Sequence, residues 1–266
     1  MKKALLVGIN KWKNLPDATL QGCVNDANDI KDVIVKQFGY LVKNIKVLLD
    51  SKASKKAIKT ELVKLIKNSV AGDDLLFCFS CHGTQIDDKN KDEPDGQDEA
   101  ICPADLSYDN WEGTLLVDDE IYEIFKLLPK GVNLCVIADC CHADTNTKEL
   151  NSKGIKSKFI KFPNKNKGKI KKICKANKKE TQRHVLLAAC RSNETSADAF
   201  INNRYNGAAT RSILIAVENK PEGTWKEIFE DASKWLDKEG YEQHLVLSGD
   251  SNLINNKIFG GKTKGN

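Results

Sequence analysis

The sequence predicts an α/β protein with a mainly parallel sheet covered on both faces. Three observations lead there: apolar runs long enough for buried strands, amphipathic helical stretches between them, and this alternation continuing over most of the 266 residues without an internal repeat. "KALLVGI" (Lys3 to Ile9) reads as the first strand. In "NDANDIKDVIVKQ" (Asn25 to Gln37), Ile30, Val33 and Ile34 recur at helical spacing. "NIKVLLD" is a second strand, after which Ser54 is placed to cap a helix whose Ile58, Leu62 and Leu65 share a face. "DDLLFCFSCHG" is a third, fully buried strand, "DDEIYEIFKLL" a helix, and "NLCVIADCC" a fourth strand. "RHVLLAAC" supplies a fifth strand, followed by helices over 208–217 and 224–237 and a last strand, "QHLVLS".

Composition narrows the class. The chain is 40% hydrophobic and 30% charged, as globular proteins are, and no apolar run approaches the roughly 20 residues that span a bilayer. The apolar run in the start, "MKKALLVGIN", is too short for a secretion signal and reads as a strand. Nine cysteines, an odd number with several inside apolar runs, read as reduced thiols, so the expected location is the cytoplasm. The net charge of +5 is unevenly spread. Residues 146–183 hold 14 Lys and Arg against two Glu, whereas 87–99 hold seven acids against two Lys. The lysine-rich stretch reads as a solvated, protease-sensitive insertion between the fourth and fifth strands.

Ligands of parallel α/β sheets bind beyond the carboxyl ends of strands. Two strand ends carry reactive groups, Ser80–Gly83 ("SCHG") and Asp139–Asp144 ("DCCHAD"). A histidine beyond one strand and a thiol beyond its neighbour suit nucleophilic catalysis, with imidazole taking the thiol proton and returning it to the leaving amine. Gly83 leaves a backbone N–H open to hold an oxyanion. The rival is zinc on Cys78, Cys81, His82, Cys140, Cys141 and His142, disfavoured because residues three apart on a strand face opposite ways. The acids of 87–99 lack EF-hand spacing, yet Asp95, Asp98, Asp118 and Asp119 offer hard oxygen ligands, with capping of the next helix as the alternative for Asp118 or Asp119.

These pieces in this order, "KKALLVGIN", "GCVNDANDI", "LLFCFSCHGTQ", "DGQDEAICPAD", "GTLLVDDEI", "CVIADCCHADT" and "AACRSNETSADAF", resemble the metacaspases, caspase-like cysteine peptidases. The resemblance implies a caspase-like α/β/α sandwich in a single domain, with a large-subunit-like region (1–145), the insertion (146–183) and a small-subunit-like region (184–266). It implies a Cys141 nucleophile, a His82 acid/base, and cleavage of protein or peptide substrates after Arg or Lys. The basic side chain would be read by Asp26 and Asp139, with Ser80 and Cys23 alongside, since a buried cation needs a counter-charge. It further implies Ca²⁺ on Asp98, Asp118 and Asp119 with Asp95 nearby, and a monomer; because the lysines of the insertion match the implied cleavage preference, the expectation is a proenzyme that cuts itself there when calcium binds. Departures are Cys81 in place of a glycine and Ala143-Asp144 in place of Ser-Gly. A fourth calcium ligand has no clean match, with Asp144 and Glu149 as candidates. The sequence shows no proline-rich or zinc-finger extension, so the expectation is a bare catalytic domain. A catalytically silent scaffold that binds an acidic partner through the basic segment is the alternative; nucleic-acid binding lacks the aromatic interleaving it needs.

Overall fold

The computed structural model describes residues 1–87, 96–141, 155–161 and 183–261. Its centre is a six-stranded sheet in the order β12-β9-β7-β3-β1-β2. β1 (Lys2–Gly8), β2 (Ile45–Leu49), β3 (Asp74–Ser80), β7 (Asn133–Asp139) and β9 (His184–Ala188) run parallel, and β12 (Val246–Gly249) closes one edge antiparallel. The expected strands are all present, and the α/β class follows from the same feature that predicted it: strands buried on both faces need apolar residues at every position.

Two helical layers cover the sheet. α1 (Cys23–Phe38) turns Ile30, Ile34 and Phe38 inward and stops at Gly39, which adopts the left-handed conformation that glycine tolerates. On the same side pack α5 (Ala208–Asn219) and α6 (Trp225–Lys238), the latter opened by a capping box between Thr224 and Glu227. The opposite face carries α2 (Lys55–Lys67), capped by the Ser54 hydroxyl accepting the Ala57 N–H. α4 (Asp118–Phe125) lies on that side too, after the short turn α3 (Trp111–Thr114). Neither Asp118 nor Asp119 caps α4; both lie inside its first turn, which corrects the capping alternative.

Two small sheets were not legible from alternation alone. β4 (Gly83–Asp87), β5 (Gln97–Ile101) and β6 (Leu116–Val117) form an antiparallel sheet leading away from His82. β11 (Arg204–Gly207), β10 (Ala197–Ile201) and β8 (Lys156–Ser157) form the other. β8 comes from the lysine-rich insertion, so the expectation of a solvated loop fails for 155–161.

The parallel register aligns Gly8, Ser80 and Asp139 side by side at the carboxyl edge, so three chain segments end at one place. At the opposite edge Asp73, almost fully buried, anchors the start of β1 through the Lys3 ammonium at 2.7 Å and the Val70 N–H. Burial works to raise its carboxyl, but hydrogen bonds from Lys3, the terminal amine and Val70 hold it down at about 2. A carboxylate depressed by folding stabilises above its unfolded value, and that contribution disappears as pH falls toward the folded one. Asp73→Asn is therefore expected to lower stability at pH 7 by about 1 kcal/mol after allowance for solvent screening. The deficit should shrink between about pH 4 and 2 when urea midpoints of the two proteins are compared. A deficit independent of pH would show that the ion pair is not its source.

Candidate active site

The carboxyl edge gathers the predicted residues around one side chain that the sequence reading did not single out. Lys158, from the insertion, is fully buried. Its ammonium lies 2.9 Å from Asp139 Oδ1 and 3.3 Å from Asp26 Oδ2, and donates to Ser80 Oγ at 2.9 Å. Ser80 Oγ donates in turn to Asp26 Oδ2 at 2.7 Å. A lone ammonium would be expelled from such a place; two carboxylates and a hydroxyl make it tenable.

Each carboxylate is positioned by a different part of the fold. Asp26, in the first turn of α1, accepts the Gly207 N–H at 2.9 Å and the Asn206 side-chain amide at 3.0 Å. Asp139, the last residue of β7, accepts Ser196 Oγ at 2.8 Å, Thr210 Oγ1 at 2.6 Å and the Thr210 N–H at 3.0 Å. Burial pushes Asp139 up, but Lys158, Thr210 and Ser196 outweigh it and hold its carboxyl below the ordinary range. Asp26 goes the other way, because burial and the Asp139 charge outweigh Lys158. For Lys158, burial lowers the ammonium pKa, and Asp139, Cys23 and Asp26 reverse that and raise it. Gly207 has no alternative at this spot: a Cβ there would lie 2.2 Å from both Asp139 Oδ2 and Lys158 Nζ. Cys23 is buried beside the same cluster, its thiol pushed well up by burial.

The backbone of 155–161 is held as firmly as the side chain. Ser157 pairs with Ala197 and Lys156 with Asp198 along β10, and the Lys158 N–H donates to the Ser196 carbonyl at 3.0 Å. The Lys158 carbonyl accepts the Gly83 N–H at 2.9 Å and the Cys141 N–H at 3.4 Å. The Gly83 N–H is the one expected to serve an oxyanion, and here it and the Cys141 N–H converge on one carbonyl oxygen.

Cys141 and His82 flank this carbonyl. Cys141 is fully buried, with Sγ 3.8 Å from Ser157 Oγ, and burial raises its thiol to about 12. His82 Nε2 lies 2.7 Å from the Ala18 carbonyl, which fixes the proton on that nitrogen. Nδ1 is buried with no hydrogen-bond partner, leaving a free lone pair. Trp12 packs against the ring at 4.7 Å between centroids. Burial depresses the imidazole to about 4. Thiol and imidazole are thus both neutral while the segment covers them. The orienting group for the imidazole is a backbone carbonyl, that of Ala18, and no third acid is needed for that purpose. The signal for Lys158 was the interleaving of Ile155, Phe159 and Ile160 among lysines, a pattern no solvated loop requires.

A model of the metacaspase peptidase C14 domain matches residues 2–148, more than half of the chain. The chain belongs to the metacaspase family. Metacaspase-1 of Meyerozyma guilliermondii is 28% identical across 93% of this chain and 69% of its own length. Metacaspase-3 of Arabidopsis thaliana is 38% identical over 54% of this chain and 40% of its own. The chain spans 65% of the Mycosarcoma maydis Metacaspase-1. Among solved structures, a Geobacter sulfurreducens protein superposes with a TM-score of 0.72 at 22% identity, covering 98% of this chain and 99% of that one. Caspase-1 of Spodoptera frugiperda superposes at 0.60 with 10% identity, covering 99% and 91%. The metacaspases are C14 cysteine peptidases, and the caspase-like fold is that of this chain.

The acids expected to bind calcium in this metacaspase lie around β5 and the start of α4. Asp98 is buried, and Asp118 has one carboxylate oxygen, Oδ1, buried without a partner. Burial first, then Glu99, Asp119 and Asp98, push Asp118 up to about 7. Asp95, His142, Ala143, Asp144 and Glu149 lie outside the described residues. Among the described residues no group of three or more His, Cys, Asp or Glu is arranged to hold a metal, which leaves the zinc reading without a site there and means that Asp98, Asp118 and Asp119 are not gathered into a ready-made calcium site by themselves. Among the described residues the cysteines are free thiols, and no helix is long and apolar enough to cross a membrane.

A buried histidine binds its proton less readily than an unfolded one, so below about pH 6.5 folding is opposed, and stability rises with pH from about 4 to 6.5. ¹⁵N-detected NMR of His82 is expected to show the Nε2–H tautomer at neutral pH, titrating near 4. Titration near 6.5 would mean that water reaches the ring and that the segment does not cover it.

Proposed function

We propose that the chain is a cysteine endopeptidase that cleaves after Lys or Arg, and that its first substrate is its own Lys158–Phe159 bond. One observation carries this reading: the Lys158 ammonium is paired with Asp26 and Asp139 while its carbonyl oxygen receives the Gly83 and Cys141 N–H groups. A basic residue read by side chain and backbone at once is a substrate posture.

The chemistry follows from the positions. His82 Nδ1 takes the proton of the Cys141 thiol, and Sγ adds to the Lys158 carbonyl carbon. Charge grows on the oxygen facing the Gly83 and Cys141 N–H groups, which need not move to stabilise it. As the C–N bond to Phe159 breaks, the imidazolium returns its proton to the leaving nitrogen. Water, deprotonated by the same imidazole, then hydrolyses the thioester and frees Cys141. Asp26, Asp139 and Ser80 hold the basic side chain, and the Ala18 carbonyl keeps the imidazole in the useful tautomer. Substrates in trans would take the place of 155–161 along β10.

Neutral thiol and neutral imidazole make the first proton transfer uphill, so the covered site is a proenzyme. The calcium expectation belongs with this. Asp98, Asp118 and Asp119, with Glu99, supply hard oxygens, and the unpartnered Oδ1 of Asp118 is the kind of group a cation satisfies. A bound divalent ion would offset the crowding of these carboxylates. β5 carries Asp98 and Glu99 and ends at Ile101, and the next N–H, that of Cys102, donates to the His82 carbonyl, so the acids connect directly to the histidine strand end. We take the protein to act as a cytoplasmic monomer.

Purified protein incubated with calcium should show a fragment ending at Lys158, and hydrolysis of Arg- and Lys-coumarin peptides but not Asp-coumarin. Cys141→Ala should lower both by roughly a thousandfold or more. Lys158→Arg should keep self-cleavage at this bond and Lys158→Gln lose it. Activity retained by Cys141→Ala refutes the nucleophile, and silence on all substrates favours the scaffold alternative. For calcium, the readout is the melting temperature: calcium should raise it in the parent and less in Asp118→Asn, and no shift in the parent removes the ion from the proposal.

A further inference from the structure

The segment that fills the cleft continues past Lys158, and its far side is bound as specifically as its near side. Gly83 is used twice: its N–H donates to the Lys158 carbonyl at 2.9 Å, and its carbonyl accepts the Ile160 N–H at 3.0 Å. Phe159 sits opposite Gly83 in a parallel bridge between them. The register is therefore fixed for two residues beyond the bond proposed to break. Phe159 is half-buried and Lys161 exposed, whereas Ile160 is 6% exposed and belongs to the apolar cluster that includes Phe79, Cys81, Cys102, Ala138 and Cys140. That cluster lies on the α2 side of the sheet. Extended backbone alternates its side chains, so a residue held this way at position 160 is turned inward as Phe159 is turned out.

From this geometry we infer that the cleft carries an aliphatic seat for the second residue after the scissile bond, and that the enzyme selects peptide substrates with Ile, Leu or Val there in addition to the basic residue before the bond. The inference rests on the proposed cleavage after Lys or Arg. An aliphatic group gains by leaving water for a seat of this kind, a carboxylate loses its hydration with no partner offered, and an alanine leaves the seat partly unfilled. The seat acts on binding and on holding the scissile bond in line, so it contributes to kcat/KM.

The test uses the full chain with calcium and internally quenched peptides of sequence Ile-Lys-Ser-Lys-Phe-Ile-Lys, with Leu, Ala or Asp replacing the second Ile. Products are identified by mass spectrometry. Leu should be cut at a rate within about threefold of Ile, Ala more slowly, and Asp at least tenfold more slowly, all at the Lys–Phe bond. Equal kcat/KM across the four peptides, with cleavage still at Lys–Phe, overturns the seat and leaves the basic specificity standing. Cleavage after the first Lys instead of at Lys–Phe overturns the seat alone, whereas cleavage at bonds that do not follow Lys, or of none of the four while the parent protein cuts itself only after other residue types, overturns the basic specificity and the seat with it. A further control is the same set with the residue before the bond changed from Lys to Ala, which should abolish cutting at that bond in all four.

Discussion

The pairing of one buried ammonium with two buried carboxylates organises the carboxyl edge of this sheet. Asp26 belongs to α1, Asp139 ends β7, and Lys158 comes from the insertion between β7 and β9. Their charges meet where none could stand alone. Removing a partner from such a group costs several kcal/mol, because the charge left behind is uncompensated. The carboxylates are unequally supported. Asp139 is surrounded by Thr210 and Ser196 donors and stays ionised, while Asp26 is poised closer to protonation. Thr210 and Ser196 lie well after the insertion in sequence, so the pocket is completed only when the second half of the chain has packed.

The sheet makes this meeting possible because parallel strands deliver their ends to one edge. Ser80 and Asp139 are register partners, and the residues after them, Cys81-His82-Gly83 and Cys140-Cys141, must leave the sheet at the same height. The segment 155–161 crosses above them from one apolar layer to the other. Ile155 packs on the cluster covered by α1, α5 and α6, and Ile160 enters the one covered by α2. Lys158 points down between the two. The two adjacent thiols also separate here by role: Cys141 gives its N–H to the Lys158 carbonyl, whereas the Cys140 carbonyl accepts the Cys190 thiol at 3.7 Å inside the core.

Much of this was legible in the sequence. Strands that are apolar at every position announce a sheet buried on both faces, and the helices announced themselves by Ile30, Ile34, Ile58 and Leu62. His82 and a thiol of the Cys140-Cys141 pair could be chosen because they follow strand ends, where ligands of parallel sheets bind, whereas Asp26, Ser80, Asp139 and the choice of Cys141 came with the resemblance to the metacaspases. β8 was not legible: two residues of strand leave no period to detect, and lysine is the residue least expected in a core. The burial of Lys158, the next residue, depends on the carboxylates of Asp26 and Asp139, 132 and 19 positions away in sequence, a distance local patterns do not cover. The β4–β5–β6 sheet was obscured by the run of acids, whose charge outweighed the alternation of buried Ile86, Asp98 and Ala100.

The imidazole is oriented by a peptide carbonyl rather than by a side chain. Ala18 ends a short turn that begins at Pro16, and the next carbonyl, that of Thr19, receives the Lys156 ammonium at 2.8 Å. Because the orienting oxygen belongs to the main chain, any amino acid at position 18 supplies it. Scanning mutagenesis would pass over this residue, and an inventory of essential side chains would report a two-membered machine. The third member is inherited by every variant that keeps the turn, so evolution can edit the composition of this loop freely while its shape stays under constraint.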